Sequence, residues 1–229
     1  MHFILNQHRY WRKTRSQTTR PACYGADPNR NFGYQWGTNG ASKNPCAEVF
    51  QGATPFSEPE TKAISDFVHA RRRSFIAYFA VHSYGNFWLV PWGFTGEYKP
   101  QDFDEMMRVA RIGMAAITTK SGQSWQVGNT VDLLYPAAGG SDDWAKAEGI
   151  KYSYTIELRP SSDDPQFGFV VESHEIEPAG IDLWNGISSA VQSILAGPAA
   201  RRQVMGNRSQ RPRHYYNRYR NFRRSYSRG

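Results

Sequence analysis

One run of hydrophobic residues dominates the pattern of apolar and polar positions along the chain. Residues 74–81 are nearly all apolar or aromatic, and the run stops at His82, Ser83 and Tyr84. A short continuous run of this kind predicts a β-strand buried on both faces, as in a largely parallel sheet. Ligands of open α/β sheets bind beyond the carboxyl ends of the strands. His82 is therefore a candidate metal ligand or acid–base group, and the alternative is a structural histidine bonded to a backbone carbonyl.

The remaining periodic segments predict strands that alternate with helices. Ser57 and Glu60 stand at the spacing of a capping box and open a helix that continues to the arginines at 71–73. Other segments follow from the same patterns: a strand over 86–93 that breaks at Pro91, a helix over 101–120, a loop over 128–143, a helical turn over 144–148, a strand over 150–156 and a closing helix over 180–196. The order predicts an α/β sheet. The strand over 150–156 ends at Glu157, so a second strand delivers an ionisable side chain near its carboxyl end.

A long turn-rich region precedes the first predicted helix. Residues 21–56 are rich in glycine and proline, and a loop of this length inside a domain is usually functional. Both cysteines of the chain, Cys23 and Cys46, lie in it. Two free thiols are typical of a cytosolic protein, and one disulfide is typical of a secreted one. The loop-like surroundings modestly favour the disulfide.

The basic charge of the protein is concentrated in its last residues. The chain of 229 residues has a net charge of +8, but residues 201–229 contain ten arginines and no Asp, Glu or Lys. The preceding residues then have 18 basic and 20 acidic side chains, so no basic partner surface is assigned to the fold. Arginines interleaved with aromatic residues suit binding to nucleic acid or another polyanion, and they also suit a disordered tail. No stretch is apolar enough for a membrane span, and residues 1–6 are too short for a signal peptide.

Six motifs occur together in one order and spacing. They are RYWRKTRS at 9–16, GADPNRNF at 25–32, FSEPET at 56–61, HSY at 82–84, YPAAGGS at 135–141 and YTIELR at 154–159. In this combination the chain resembles the zinc metallocarboxypeptidases of the pancreatic carboxypeptidase A/B type over about residues 6–197. The resemblance implies a three-layer α/β fold, with a mixed, mostly parallel sheet that lacks its first strands and helices on both faces. Residues 1–199 would be a partial catalytic domain, followed by the tail at 200–229.

The resemblance also implies a role for each matching residue. His82 corresponds to a zinc ligand, and Glu157 to the carboxylate that takes a proton from the attacking water and passes it to the leaving amine. Arg12 corresponds to the cation that stabilises the oxyanion. The remaining correspondences are groups that hold the terminal carboxylate of a peptide (Asn29, Arg30, Tyr135), an outer-subsite arginine (Arg9), and a disulfide pair (Cys23, Cys46) that indicates an extracellular, oxidising compartment.

Substrate preference is assigned to Asp142. It corresponds to the base of the side-chain pocket, where members of the family with an acidic residue remove C-terminal Lys or Arg. A buried carboxylate favours a cationic partner, so the chain is expected to be B-like. The neighbouring Asp143 corresponds to an aspartate found in both specificity classes. The alternative is that Asp142 is an ordinary exposed loop acid.

The chain departs from the family pattern in its zinc ligands. The family supplies two of them from an upstream His-x-x-Glu, and none of the six histidines here lies in such a motif upstream. The spelling recurs at His174–Glu177, after Glu157, where the family has no ligand. One histidine cannot hold a catalytic zinc. We therefore expect no peptidase activity and no tight zinc from the chain as it stands. It is either a fragment of a working secreted carboxypeptidase or a truncated, non-catalytic module that binds peptide C-termini, and we expect a monomer.

Overall fold

The computed structural model describes residues 10–160 and 168–197, which form a sheet flanked by helices. The strands are β1 (Ala77–Ser83), β2 (Phe87–Val90), β3 (Gln126–Asn129) and β4 (Tyr152–Leu158). The helices are α1 (Pro59–Arg71), α2 (Phe103–Ser121), α3 (Thr130–Leu133), α4 (Ser141–Ala147) and α5 (Ser173–Leu195), and short 3-10 helices occupy Pro28–Arg30 and Arg72–Ser74.

The sheet is mixed and mostly parallel, as predicted. Its order is β1-β4-β2-β3. β1 pairs with β4 and β2 pairs with β3 in parallel, whereas β2 and β4 are antiparallel. The parallel register places His82 beside Glu157, so the two ionisable residues that the sequence puts at strand ends are neighbours in the sheet.

The side chains of β4 point alternately to the two faces of the sheet, and each face meets a different helix. On one face, the Tyr154 hydroxyl donates to the Met106 carbonyl of α2 over 3.1 Å. On the other face, the Ser153 hydroxyl donates to the Asp142 carbonyl of α4 over 2.7 Å. Since side chains alternate along a strand, Glu157 shares the face of Ser153 and α4. Helices on both faces give the three layers that the resemblance implied.

A glycine in α2 lets that helix approach the sheet closely. A Cβ atom on Gly113 would lie 2.4 Å from the Trp88 ring of β2, so a side chain at this position would force the two elements apart. Trp88 packs edge-on against Tyr154, with ring centroids 5.7 Å apart. On the opposite face, a second apolar cluster consists of Phe32, Val68, Trp144, Ala145 and Ile150.

The prediction of a doubly buried first strand is wrong. β1 begins at Ala77 because residues 72–74 form a 3-10 helix, and it extends through His82 to Ser83. It lies at an edge of the described sheet and pairs with β4 alone, and Val81 is 46% exposed. Burial on both faces instead belongs to β4, whose residues Tyr152–Ile156 are all buried.

Three local predictions are also corrected. Ser57 does not cap α1; the cap position is Glu58, which makes no side-chain capping bond. The segment 128–143 is not all loop, because β3 extends to Asn129, Asn129 caps α3, and α4 begins at Ser141. α5 begins at Ser173, seven residues before the predicted start, and continues through Pro178.

The described residues can be compared with the predicted end of the domain at residue 199. Its contacts define one compact unit up to Gln192 and a second from Ser193, of which residues 193–197 are described. The predicted tail at 200–229 lies outside the described residues, and so does Arg9. Among the helices of the described part, none has the length and apolar character needed to cross a membrane.

Candidate functional site

A buried aspartate organises one side of the candidate site. Asp27 caps the 3-10 helix Pro28–Arg30 by accepting a hydrogen bond from the Asn29 amide over 3.0 Å. Its other oxygen accepts from Nη2 of Arg12 over 2.6 Å. Nη1 of Arg30 lies 3.9 Å from the same oxygen. Asp27 therefore gathers three residues that the sequence separates into two motifs.

Asn29 and Arg30 are held against the loop that precedes α4. The Asn29 side-chain oxygen accepts from the Ser141 amide over 3.0 Å, and this bond orients the Asn29 side chain. Arg30 donates from Nε to the Gly40 carbonyl over 2.9 Å. Gly139 has φ +77°, and a Cβ there would lie 2.4 Å from the Arg30 carbonyl oxygen. Only a glycine allows this approach, so the loop positions Arg30 directly.

His82 and Glu157 face the same side of the sheet as this cluster. Burial is the main reason why the pKa of His82 lies below its usual value, and the nearby Asp142 and Asp27 carboxylates oppose the shift in part. The shift favours the neutral imidazole, which is the form that binds metals.

Glu157 is a carboxylate without its usual solvation. Its Oε2 is buried and has no hydrogen-bond partner among the residues that the structure describes. Burial raises the pKa of Glu157 to about 7, and the negative charge of Asp142 adds to this shift. The positive charge of Arg12 opposes it. A carboxylate with a pKa near neutrality is suited to take up and release a proton at physiological pH.

Two adjacent aspartates open α4, and both are buried. Asp142 is 6% exposed and hydrogen-bonds to Thr155 on β4. Asp143 accepts from the amides of Gly93 and Phe94 over 2.8–3.1 Å and so fixes the loop after β2. Burial raises the pKa of each carboxyl, and the charge of Asp142 adds to the shift of Asp143. The alternative that Asp142 is an exposed loop acid is therefore wrong.

The structure does not gather every predicted site residue into this cluster. Tyr135 lies on the loop after α3 and is 47% exposed. Arg9 is not among the described residues. Cys23 and Cys46 form the disulfide, with Cα atoms 5.0 Å apart, in the turn-rich region that also carries Asn29 and Arg30.

Two acidic residues near the site were not identified from the sequence. Asp27 precedes Pro28, and an aspartate before a proline is a typical signature of a helix N-terminus, so this signal was present. Glu58 belongs to the segment that the sequence predicts as the start of a helix, and nothing in that segment indicates a place near the site. Its partners come from segments far away along the chain.

The described residues do not fit a zinc ion by themselves. No three His, Cys, Asp or Glu side chains within residues 10–160 and 168–197 lie close enough together to hold a metal. A catalytic zinc takes three protein ligands. His82 could supply one of them, and the others would have to come from elsewhere.

The fold and the cluster together define an α/β protein with a candidate site at one edge of its sheet. The chain has an α/β sheet that places His82 and Glu157 at the carboxyl ends of two paired parallel strands, and open α/β sheets bind ligands at this edge.

Comparisons with known proteins identify the family. The zinc carboxypeptidase family model, Peptidase_M14, matches residues 1–186, and the chain belongs to this family of hydrolases. It is 40% identical over 187 residues to carboxypeptidase B of Astacus astacus and 38% identical over 198 residues to carboxypeptidase A1 of Sus scrofa. These matches cover 81% and 86% of this chain but 60% and 46% of the relatives, so the chain spans about half of their length.

Comparisons with solved structures identify the same family. Bovine thrombin-activatable fibrinolysis inhibitor, in complex with tick carboxypeptidase inhibitor, superposes with a TM-score of 0.81 at 33% identity over 86% of this chain and 66% of that chain. Carboxypeptidase A from Helicoverpa armigera gives 0.77 at 32% identity, over 86% of this chain and 49% of that chain. The identification from the six motifs is confirmed.

Proposed function

We propose that the chain carries the substrate-binding and proton-transferring part of a zinc-dependent carboxypeptidase site that removes single C-terminal residues, with preference for Lys and Arg. The observation that carries the proposal is the convergence of two groups of residues. Arg12, Asn29 and Arg30 meet around Asp27, and His82, Glu157 and Asp142 share one face of the sheet beside them.

Each group has a chemical task in this proposal. Asn29 and Arg30 hold the terminal carboxylate of the peptide, with Tyr135 closing over it and Arg9 contacting residues further from the C-terminus. Arginine binds a carboxylate well because its planar guanidinium can donate two parallel hydrogen bonds. Arg12 stabilises the oxyanion of the tetrahedral intermediate. Glu157 accepts a proton from the attacking water and donates it to the leaving amine, so it returns to its starting state.

The preference for basic residues rests on Asp142. Its carboxyl is buried next to Gly140, where a Cβ would lie 2.9 Å from Oδ1, so the absence of a side chain at Gly140 allows this close packing. A substrate Lys or Arg would supply the positive charge that a buried carboxylate lacks.

The missing ligands limit what the described residues can do. Because they contribute one histidine, we expect them to bind peptide C-termini without hydrolysing them. A chain with two further ligands would be a complete enzyme. The disulfide Cys23–Cys46 supports an extracellular location, since disulfides persist in oxidising compartments.

Calorimetric titration with short peptides tests the binding site. We expect acetyl-Gly-Gly-Arg to bind about tenfold more tightly than acetyl-Gly-Gly-Phe, a difference of about 1.4 kcal/mol, and its C-terminal amide to bind more weakly than either. D142N should abolish the difference between the Arg and Phe peptides, and D132N, on the exposed side of α3, is the matched control. Equal or tighter binding of the Phe peptide would refute the preference, and equal binding of the amide would refute C-terminal recognition.

A second function is proposed for residues 201–229 on composition alone. Ten arginines without a compensating acid, interleaved with aromatic residues, suit nucleic acid or another polyanion. Deletion of 201–229 should remove a salt-sensitive shift of a labelled oligonucleotide, and the absence of any shift at low salt would rule the proposal out.

A further inference from the structure

Glu58 is a buried carboxylate close to the site and has no role in the chemistry above. It is 4% exposed. One oxygen accepts from the hydroxyl groups of Thr14 and Ser16, the latter over 2.6 Å. The other accepts from the Ser57 hydroxyl over 2.8 Å. A buried charge needs such donors, because nothing else replaces its hydration.

The Thr14 and Ser16 hydroxyl groups belong to the backbone segment that presents Arg12. Thr14 also accepts from the Ala26 amide over 2.9 Å, and the Thr14 amide donates to the Ala26 carbonyl over 2.8 Å. Ala26 is the residue before Asp27, the partner of Arg12. The Thr14 hydroxyl therefore connects Glu58 to the segment of Arg12 and, through the Ala26 amide, to the segment of Asp27.

The network also reaches the segment of Asn29 and Arg30. The Ser57 hydroxyl that donates to Glu58 accepts from Nδ2 of Asn31 over 3.0 Å. The Asn31 side-chain oxygen in turn accepts from the Glu58 amide over 3.2 Å. Asn31 is fully buried and directly follows Arg30. A buried network in which every member is satisfied holds its members in one arrangement.

The other side of the Arg12 segment is fixed independently. Lys13 is buried and donates from Nζ to the carbonyls of Pro45 and Ala47, over 2.7 and 3.2 Å, on either side of Cys46. The Arg12 side chain is paired with Asp27 and is 43% exposed. The segment is therefore held on two sides, and it presents the Arg12 guanidinium, which is paired with Asp27, to the site.

We infer that Glu58 is the positioning residue for Arg12: its carboxylate fixes the segment 12–16 against residues 26–31, so that Arg12 and the carboxylate-binding pair keep one geometry. The catalytic meaning of this geometry rests on the function proposed above, but the positioning itself does not. Burial alone would raise the pKa of Glu58, yet the hydrogen bonds from Ser16, Thr14 and Ser57 outweigh it and keep the pKa below its usual value.

Side-chain and backbone NMR relaxation of the full chain tests the inference. We expect the order parameters of the Arg12 Nε–H and of the backbone amides of Arg12 and Thr14 to fall from about 0.85, typical of a rigid backbone, to below about 0.6 in E58Q and T14V. T14S keeps the hydroxyl and should retain the original values. V68A creates a cavity in α1, the helix that follows Glu58, and it should lower thermal stability without changing these order parameters.

The variants make the outcome decisive. If E58Q does not fold, the comparison rests on T14V, which removes the hydroxyl group, and T14S, which retains it. Unchanged order parameters in E58Q and T14V, or an equal fall in V68A, would show that Glu58 is merely structural and would overturn the inference. Peptide affinity for acetyl-Gly-Gly-Arg is measured in parallel. Failure of the original chain to bind the peptide would refute the proposed function and leave the relaxation result intact.

Discussion

Two glutamates near the site, Glu58 and Glu157, are withdrawn from water and have opposite properties. Glu58 receives three hydroxyl hydrogen bonds, and its pKa lies below the usual value despite burial. Glu157 has an unpartnered buried oxygen within the described part of the chain, and burial raises its pKa to about 7. The two regions show that burial alone does not decide the charge of a carboxyl group. The donors that replace its water decide it.

The difference matches the use of each residue. A carboxylate that is held ionised by donors stabilises the fold and does not readily accept a proton. A carboxylate left without donors can exchange a proton near neutral pH, at a cost in stability. Three predictions test whether this contrast is real.

The largest expected effect is the loss of stability in E58Q. Replacing the carboxylate weakens charge-assisted hydrogen bonds, and we expect the free energy of unfolding at pH 7 to fall by about 3 kcal/mol. The folded pKa of Glu58 lies below the value of about 4.3 of an unfolded chain. Its ionised form therefore stabilises the protein above pH 4.3, and that contribution disappears as the pH falls through the folded pKa.

Urea unfolding at pH 7 and pH 3.5 measures this effect, and E60Q, an exposed change in the helix that follows Glu58, is the control. The deficit of E58Q should shrink at the lower pH. An equal deficit at both pH values would show that the network does not depend on the charge of Glu58.

E157Q should have the opposite effect. The folded pKa of Glu157 is about 7, above the unfolded value, so the folded chain binds more protons between about pH 4.3 and 7 and loses stability as the pH rises through this range. Removing the titratable group should raise the free energy of unfolding by about 2 kcal/mol at pH 8 and leave it unchanged near pH 4.

The measurement is urea unfolding in the presence of a chelator at both pH values. E97Q, an exposed glutamate between β2 and α2, controls for the loss of one negative charge. If E157Q were no more stable than the original chain at pH 8, Glu157 would have to be solvated or paired in solution.

The smallest effect concerns the charge that links the two regions. Arg12 lowers the pKa of Glu157 and belongs to the segment that Glu58 holds. R12M should raise the pKa of Glu157 by about one pH unit, as expected for the loss of a nearby cation. Carbon-13 NMR titration of the Glu157 carboxyl measures it, and R15M, an arginine of the same segment stacked on Trp11, should leave the titration unchanged. A change of equal size in R15M would contradict a specific role of Arg12.

Much of the fold and of the site is predictable because it depends on local pattern or on family motifs. The strand that ends near Glu157, the long helix α2 and the placement of His82 beyond an apolar run all follow from periodicity. Segments without such periodicity were missed. β3 has four residues with a glycine among them, and it exists because β2 offers an edge for parallel pairing. β1 has the apolar composition of a central strand, but its position at the edge of the described sheet depends on which strands pair with it.

The sequence by itself determined the family and the mixed α/β class, and it predicted His82 and Glu157 as candidate site residues. The tertiary structure alone decided which carboxyl groups are ionised and which are poised to exchange a proton. Glu58 and Glu157 are the same amino acid, and the local sequence around each does not predict its pKa. Thr14 lies 44 positions from Glu58 along the chain, and only folding brings its hydroxyl to the carboxylate. The free energy of a buried charge depends on such contacts, which no local pattern contains.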